Sequence, residues 1–340
     1  MSVSYGRNVK HTGKFGGRHL SNKESGYPML SKLSTIILTI TIAASSFAVS
    51  GQAKTPACSG KSETRLAIFR SDASVWYERS DACTFNAIRF DGDGNTPAAA
   101  DYDGDGVIDA AVWNPSRNSV SYSSSRTGKM LTHDLSQFAG RNDSQIIPVT
   151  ADFDGDGNAD PAVWHPASGE WSMLASASGY AASTLSRWGG HGDVPVPADY
   201  DGDGRADIAV YRAAESAWLI IESSNGRQSR IEFAAGKNGS LLPADYTGDG
   251  RADIAVFDRG TWQVRDSATG NVEKLVFGTE ISAPVPGDHD GDGTIDIAVY
   301  ENGMWYIYPS KEAGFKGFEF GREGESPVSA VKVWAAASSY

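Results

Sequence analysis

The chain has 340 residues, 40% hydrophobic and 21% charged, which is enough apolar material for a sizeable core and too much for wholesale disorder. Its 38 glycines follow no every-third-residue period, so a collagen-like rod is excluded. Acidic residues outnumber basic ones 42 to 30, and the resulting charge of −12 argues against binding nucleic acid through its phosphates.

The first distinctive segment in chain order is the apolar run 36–49 (IILTITIAASSFAV), preceded by Lys32 and followed by small residues. The run is shorter than the roughly 20 residues that span a bilayer. A basic flank, a short apolar core and a small-residue exit predict a secretory signal over residues 1–53, with cleavage after Ser50 or Ala53. Met29 would open a more ordinary signal and is a candidate true start. Export places the chain in the cell envelope or outside the cell, with no membrane span after cleavage. Residues 1–53 carry six basic residues and one acidic one, so the exported part has a charge of −17. Residues 54–65 form a lead-in. Cys58 and Cys83 are the only cysteines, and an even count in an oxidising compartment argues for one disulfide.

Beyond the lead-in one unit repeats. ADYDGDGVIDAAVW (100–113) recurs as ADFDGDGNADPAVW (151–164), ADYDGDGRADIAVY (198–211), ADYTGDGRADIAVF (244–257) and GDHDGDGTIDIAVY (287–300). The first aspartates fall at 101, 152, 199, 245 and 288, so the period shortens from 51 to 43 residues, the length of one four-stranded propeller blade. Each unit reads as a short strand, the acidic loop, a β-branched and aromatic strand such as Ile208–Tyr211, and a strand opened by tryptophan. A last strand then ends in Phe-Gly or a similar pair. Alternation without any 3.6-residue period makes the chain all-β. Residues 66–90 supply strands two to four of a unit that lacks its first strand, and Pro327–Val331 is a first strand with no acidic loop after it. Five whole units and these two halves predict a six-bladed β-propeller over 66–340, closed by a C-terminal strand that completes the N-terminal blade. A β-solenoid would use shorter repeats.

The loop D-x-D-G-D-G-x-x-D offers carboxylates at positions 1, 3, 5 and 9, a backbone carbonyl at position 7, and glycine at 6 for a sharp turn. Hard oxygen donors in this order match the front of an EF-hand calcium loop, although position 12 of the first loop is Val112 and strands flank the loop. The candidate ligands are Asp101, Asp103, Asp105, Val107 and Asp109 in the first loop, and Asp152, Asp154, Asp156, Asn158 and Asp160 in the second. They are Asp199, Asp201, Asp203, Arg205 and Asp207 in the third, Asp245, Thr247, Asp249, Arg251 and Asp253 in the fourth, and Asp288, Asp290, Asp292, Thr294 and Asp296 in the fifth. Like charges about 4 Å apart cost roughly 1–4 kcal/mol per pair, which a divalent cation reverses. Calcium fits better than magnesium, with its strict octahedron, or zinc, which prefers nitrogen and sulfur. About five calcium ions are expected, the fourth held most weakly because Thr247 replaces a carboxylate. Asp91–Gly94 lies out of phase with these loops and reads as a turn.

The motif D-x-D-G-D-G-x-x-D-x-A-V-[YWF] and the Phe-Gly before it resemble the FG-GAP, or VCBS, repeat of integrin α-chain propellers and bacterial secreted propellers. The likeness covers roughly residues 61–340. It implies calcium in the loops joining strands one and two. Six blades rather than the seven of integrins make transfer of integrin partner binding unsafe.

In a meander these loops share one face of the disc, and the longer, more varied loops of the other face are where a ligand would be sought. Trp76, Trp171, Trp218, Trp262 and Trp305 share one phase and read as blade-to-blade core. His289 falls at a non-ligand position of the fifth loop and reads as solvent-facing. No Ser-His-Asp, Cys-His or zinc grouping is apparent. The leading expectation is a monomeric, non-catalytic recognition or adhesion module for a glycan or an extracellular protein. The rival is a polysaccharide lyase or hydrolase, with unrepeated charged residues such as Arg141, His191, Glu280, Arg322 and Glu323 near the channel.

Overall fold

The computed structural model describes residues 65–80, 85–140, 146–332 and 334–336. The signal segment, the lead-in, Arg141 and both cysteines, and hence the expected Cys58–Cys83 pair, lie outside the described residues. The strands form six antiparallel sheets, five of four strands and one of five, arranged as the blades of a propeller. The fourth blade shows the pattern: Asp193–Pro195, Ile208–Arg212, Ala217–Ile221 and Gln228–Glu232 pair in sequence order from the channel outward.

Burial falls from the channel to the rim, and the sequence follows it. Second strands are covered by neighbouring blades on both faces and therefore read as continuous apolar runs; Ala110–Asn114 and Ala162–His165 are buried throughout. Third strands bury alternate residues, as in Thr261–Arg265 and Met304–Tyr308. Outermost strands such as Val272–Val276 leave alternate residues exposed. The turn between strands two and three crosses the left-handed region at Ser74, Asn118, Gly169, Ser216 and Asn302, with φ between 49° and 69°. The fifth blade places Arg259 there at φ 47°, followed by Gly260; short polar residues and glycine tolerate that conformation most cheaply.

The periodic tryptophans are core. Trp171, Trp218 and Trp262 are fully buried, and Trp76 and Trp305 nearly so. Four of them share a second function. The indole N–H groups of Trp171, Trp218, Trp262 and Trp305 donate to the carbonyls of Trp188, Phe233, Phe277 and Phe320 at 2.9–3.2 Å. Each bond ties strand three to the end of strand four. The glycine after Phe320 is required by crowding: a Cβ on Gly321 would lie 2.2 Å from Ile68 Cδ1, and its φ is 115°.

The C-terminal segment departs in part from the strand read over 327–331. The observed strand, Ser326–Val328, pairs antiparallel with Arg65–Arg70, Val328 opposite Ala67, and is the innermost strand of the first blade. It stops early because the next residues turn to the fifth acidic loop, where the Ser329 hydroxyl donates to the Pro286 carbonyl at 2.9 Å. The chain then enters the channel. Trp334–Ala335 pairs with Ser240–Leu241, the innermost strand of the fifth blade. Trp334 is 5% exposed and belongs to the same buried cluster as Ile147, Val149, Val196 and Leu241.

Candidate metal centres

The five acidic loops fold alike because their own carboxylates organise them. In the first loop Asp101 accepts the Gly104 N–H on one oxygen at 2.7 Å and the Gly106 N–H on the other at 2.8 Å. Asp105 accepts the Val107 N–H at 2.9 Å. The same bonds recur from Asp152 and Asp156, Asp199 and Asp203, Asp245 and Asp249, and Asp288 and Asp292. The glycines are obligatory at these turns; Gly104 and Gly106 have φ of 67° and 82°.

The position-9 aspartates are the most buried. Asp109, Asp160, Asp207, Asp253 and Asp296 are fully covered, and each bridges two segments. One oxygen accepts the N–H of the loop's second residue. The other accepts the N–H of a serine in the turn between strands three and four: Ser125, Ser176, Ser223, Ser267 or Ser310, at 2.6–2.8 Å. These serines escaped the sequence reading, yet each follows its aspartate by 14 or 16 residues, a recurrence that could have revealed them. Burial, reinforced by neighbouring carboxylates, pushes Asp109 and Asp207 up to about 6 and Asp253 and Asp296 up to about 7.

Carboxylate oxygens converge within 4.8 Å in four loops. The sets are Asp101, Asp103 and Asp109; Asp152, Asp154 and Asp160; Asp199, Asp201 and Asp203; and Asp288, Asp290 and Asp296. Asp103, Asp154 and Asp290 each carry one buried carboxylate oxygen without a hydrogen-bond partner. A buried, unpaired anionic oxygen beside two further carboxylates is what a hard cation would satisfy, so the donor set fits calcium. Among the described residues the fourth loop forms no such set: Thr247 stands where the converging carboxylate would be, its hydroxyl 3.5 Å from Asp245. In the third loop Arg205 pairs with Asp203 at 2.7 Å.

Neighbouring loops are joined. The position-8 N–H of each later loop donates to the position-1 carbonyl of the loop before it: Ala159 to Asp101, Ala206 to Asp152, Ala252 to Asp199 and Ile295 to Asp245, at 2.6–2.9 Å. His289 is not solvent-facing as its spacing suggested. It is 9% exposed, and its Nε2 contacts the Val285 carbonyl at 3.1 Å. Tyr102, Tyr200 and Tyr246 direct their hydroxyls to the carbonyl four residues back in the same way, so His289 fills a position that is aromatic in the other loops.

On the opposite face the last residue of a second strand anchors that blade's own entry turn. Asn114 donates to Asn95 at 2.7 Å, Arg212 clasps Asp193 with two bonds of 2.8 Å, and Glu301 accepts from Thr279 and Ser282. His191, Glu280, Arg322 and Glu323 are exposed and belong to the entry turns of three blades, Arg322 and Glu323 sharing one. Asp91–Gly94 is a turn held by Asn95, whose side-chain amide donates to the Asp91 carbonyl at 3.2 Å.

Six blades, five of them carrying a carboxylate loop between their first two strands, define a β-propeller of the acidic-loop class. The FG-GAP-like repeat family matches residues 199–256, from the third acidic loop through the fourth, and the chain is an FG-GAP-repeat β-propeller. Several solved structures show a distant similarity to the chain at low identity. A streptogramin B lyase is 10% identical, covering 81% of this chain and 87% of that one, with a TM-score of 0.49. A virginiamycin B lyase from Staphylococcus aureus is 9% identical over 76% and 82%, with a TM-score of 0.49. A lectin from Agrocybe aegerita, described as recognising non-reducing terminal N-acetylglucosamine, is 15% identical over 82% and 81%, with a TM-score of 0.49. No curated protein matches the chain in sequence.

Proposed function

We propose that this protein is an exported β-propeller that binds calcium in its acidic loops and serves as a non-catalytic recognition module for a glycan or an extracellular protein. The observation that carries the metal reading is the unpaired buried oxygen on Asp103, Asp154 and Asp290, each beside two converging carboxylates. When bound, calcium would supply charge neutralisation and fix the loops. The chain's own residues do the rest: positions 1 and 5 shape the turn, and position 9 ties it to the next hairpin. Export rests on the signal-like segment 36–49. No helix among the described residues is long and apolar enough to cross a membrane.

The binding reading is preferred over the polysaccharide-active one because the unrepeated charged residues His191, Glu280, Arg322 and Glu323 stand exposed in the entry turns of three different blades. The test begins with metal analysis of the mature chain after equilibration with calcium, followed by melting with and without EDTA. Four to five ions per chain and a melting temperature lowered by EDTA are expected. A chain that retains no calcium and melts unchanged in EDTA would refute the metal reading. Incubation with envelope polysaccharides then separates the functions, since release of shortened products would establish the enzyme.

A further inference from the structure

The chain of joined acidic loops is open at one place. It runs from the first loop to the fifth and cannot close, because the first blade takes its innermost strand from the C-terminus and has no acidic loop there. Between Ile108 of the first acidic loop and Asp288 of the fifth the chain supplies Ser329–Val331, and no acidic loop among the described residues. A cavity of about 360 Å³ occupies that gap. It lies on the acidic-loop face, away from the varied loops to which the sequence directed attention.

Two side chains make it more than a packing gap. Trp76 is 2% exposed, yet its indole N–H has no hydrogen-bond partner, although the four tryptophans in the same phase of other blades are all satisfied. Glu78, two residues along the same strand face, is 8% exposed and also lines the cavity. The indole N–H is near enough to favour the charged form of Glu78 but outside hydrogen-bonding geometry. Burial outweighs this and the attraction of Arg65, and raises the carboxyl above its ordinary range. A buried donor left this way is costly unless a ligand completes it.

We propose that this gap binds one neutral sugar residue. Trp76 and Arg65 call for acceptors, and Glu78 can take a donor; adjacent hydroxyls of one pyranose supply both. The Glu78 carboxylate disfavours an anionic ligand. Ala99 and Val328 give apolar wall for the C–H face of the ring, and the volume lies within the usual range for small-molecule sites. The proposal rests on the recognition-module reading and gives it a location.

Methyl glucoside, methyl galactoside, methyl mannoside and N-acetylglucosamine are titrated into the calcium-saturated mature chain, by calorimetry and by tryptophan fluorescence. At least one should bind, and Glu78→Gln and Trp76→Phe should each weaken it at least tenfold, Glu78→Gln with little change in melting temperature and Trp76→Phe with a smaller drop than Trp262→Phe. Failure of all four probes to bind, or binding that both variants leave intact, would overturn the site. Glycan binding that survives both variants keeps the recognition reading and rejects only this location. A chain that binds none of the probes and retains nothing from glycan or envelope-protein arrays loses both.

Discussion

Two carboxylates in one acidic loop have different duties. The position-9 aspartate joins two hairpins through backbone N–H groups from each, whereas the position-5 aspartate accepts one N–H of its own turn and, at the exposed edge, the hydroxyl of the turn serine. Asp160→Asn turns one acceptor into a donor facing an N–H, so it should cost about 1–3 kcal/mol in urea unfolding even without metal. Asp156→Asn should be nearly neutral there. The raised position-9 groups also set a pH dependence. A carboxyl whose folded pKa exceeds its unfolded value of 3.8 binds more protons in the folded state. In metal-free protein its contribution is therefore fully present below about pH 4 and is lost as pH rises through 6 to 7. EDTA-treated protein should accordingly melt higher at pH 5 than at pH 7.5. Calcium should reverse that order, because it needs the ionised carboxylates. Thr247→Asp should raise the affinity of the fourth loop, read as a stronger weakest step in a calcium titration.

At the scale of the element, the blade is held at both ends by polar ties buried among aromatic rings. Trp262→Phe leaves the Phe277 carbonyl without its indole donor and should cost at least about 1 kcal/mol in addition to the lost ring area. Trp76→Phe breaks no such bond and should cost less, a contrast that urea unfolding of the two variants would measure. The Trp-to-Phe-Gly tie could be half-read from spacing, since both members recur. The hydrogen bond itself could not, because it depends on the tilt of a ring across a hairpin. The structural value of position 2 was hidden for a similar reason: histidine in a polar loop reads as exposed until the fold shows a tyrosine in the same place in three other blades.

For the whole molecule, the ends matter most. The strand Ser326–Val328 joins residues more than 250 apart in sequence, and propeller blades derive much of their stability from neighbours on both sides. Truncation after Gly324 should abolish the single cooperative melting transition seen by circular dichroism. Truncation after Lys332 keeps that strand but removes Trp334 from the channel. The loss of one buried tryptophan should lower stability by roughly 3 kcal/mol. The acidic charge of the chain is a property of this same scale. Nineteen of its 42 acidic residues stand at ligand positions of five loops, so the charge belongs to the sites rather than to a partner-binding surface.

The sequence by itself determined the blade count, the all-β class and the five acidic loops, because each is a local pattern repeated in phase and a repeat amplifies a weak signal. It also marked the fourth loop as different through Thr247. Only the tertiary structure decided the course of residues 329–336, the engagement of the position-9 carboxylates and the open join at the first blade. Those features arise where the ring meets itself. There the repeat is interrupted, no second copy of the pattern exists for comparison, and the outcome is set by contacts between residues far apart in the chain.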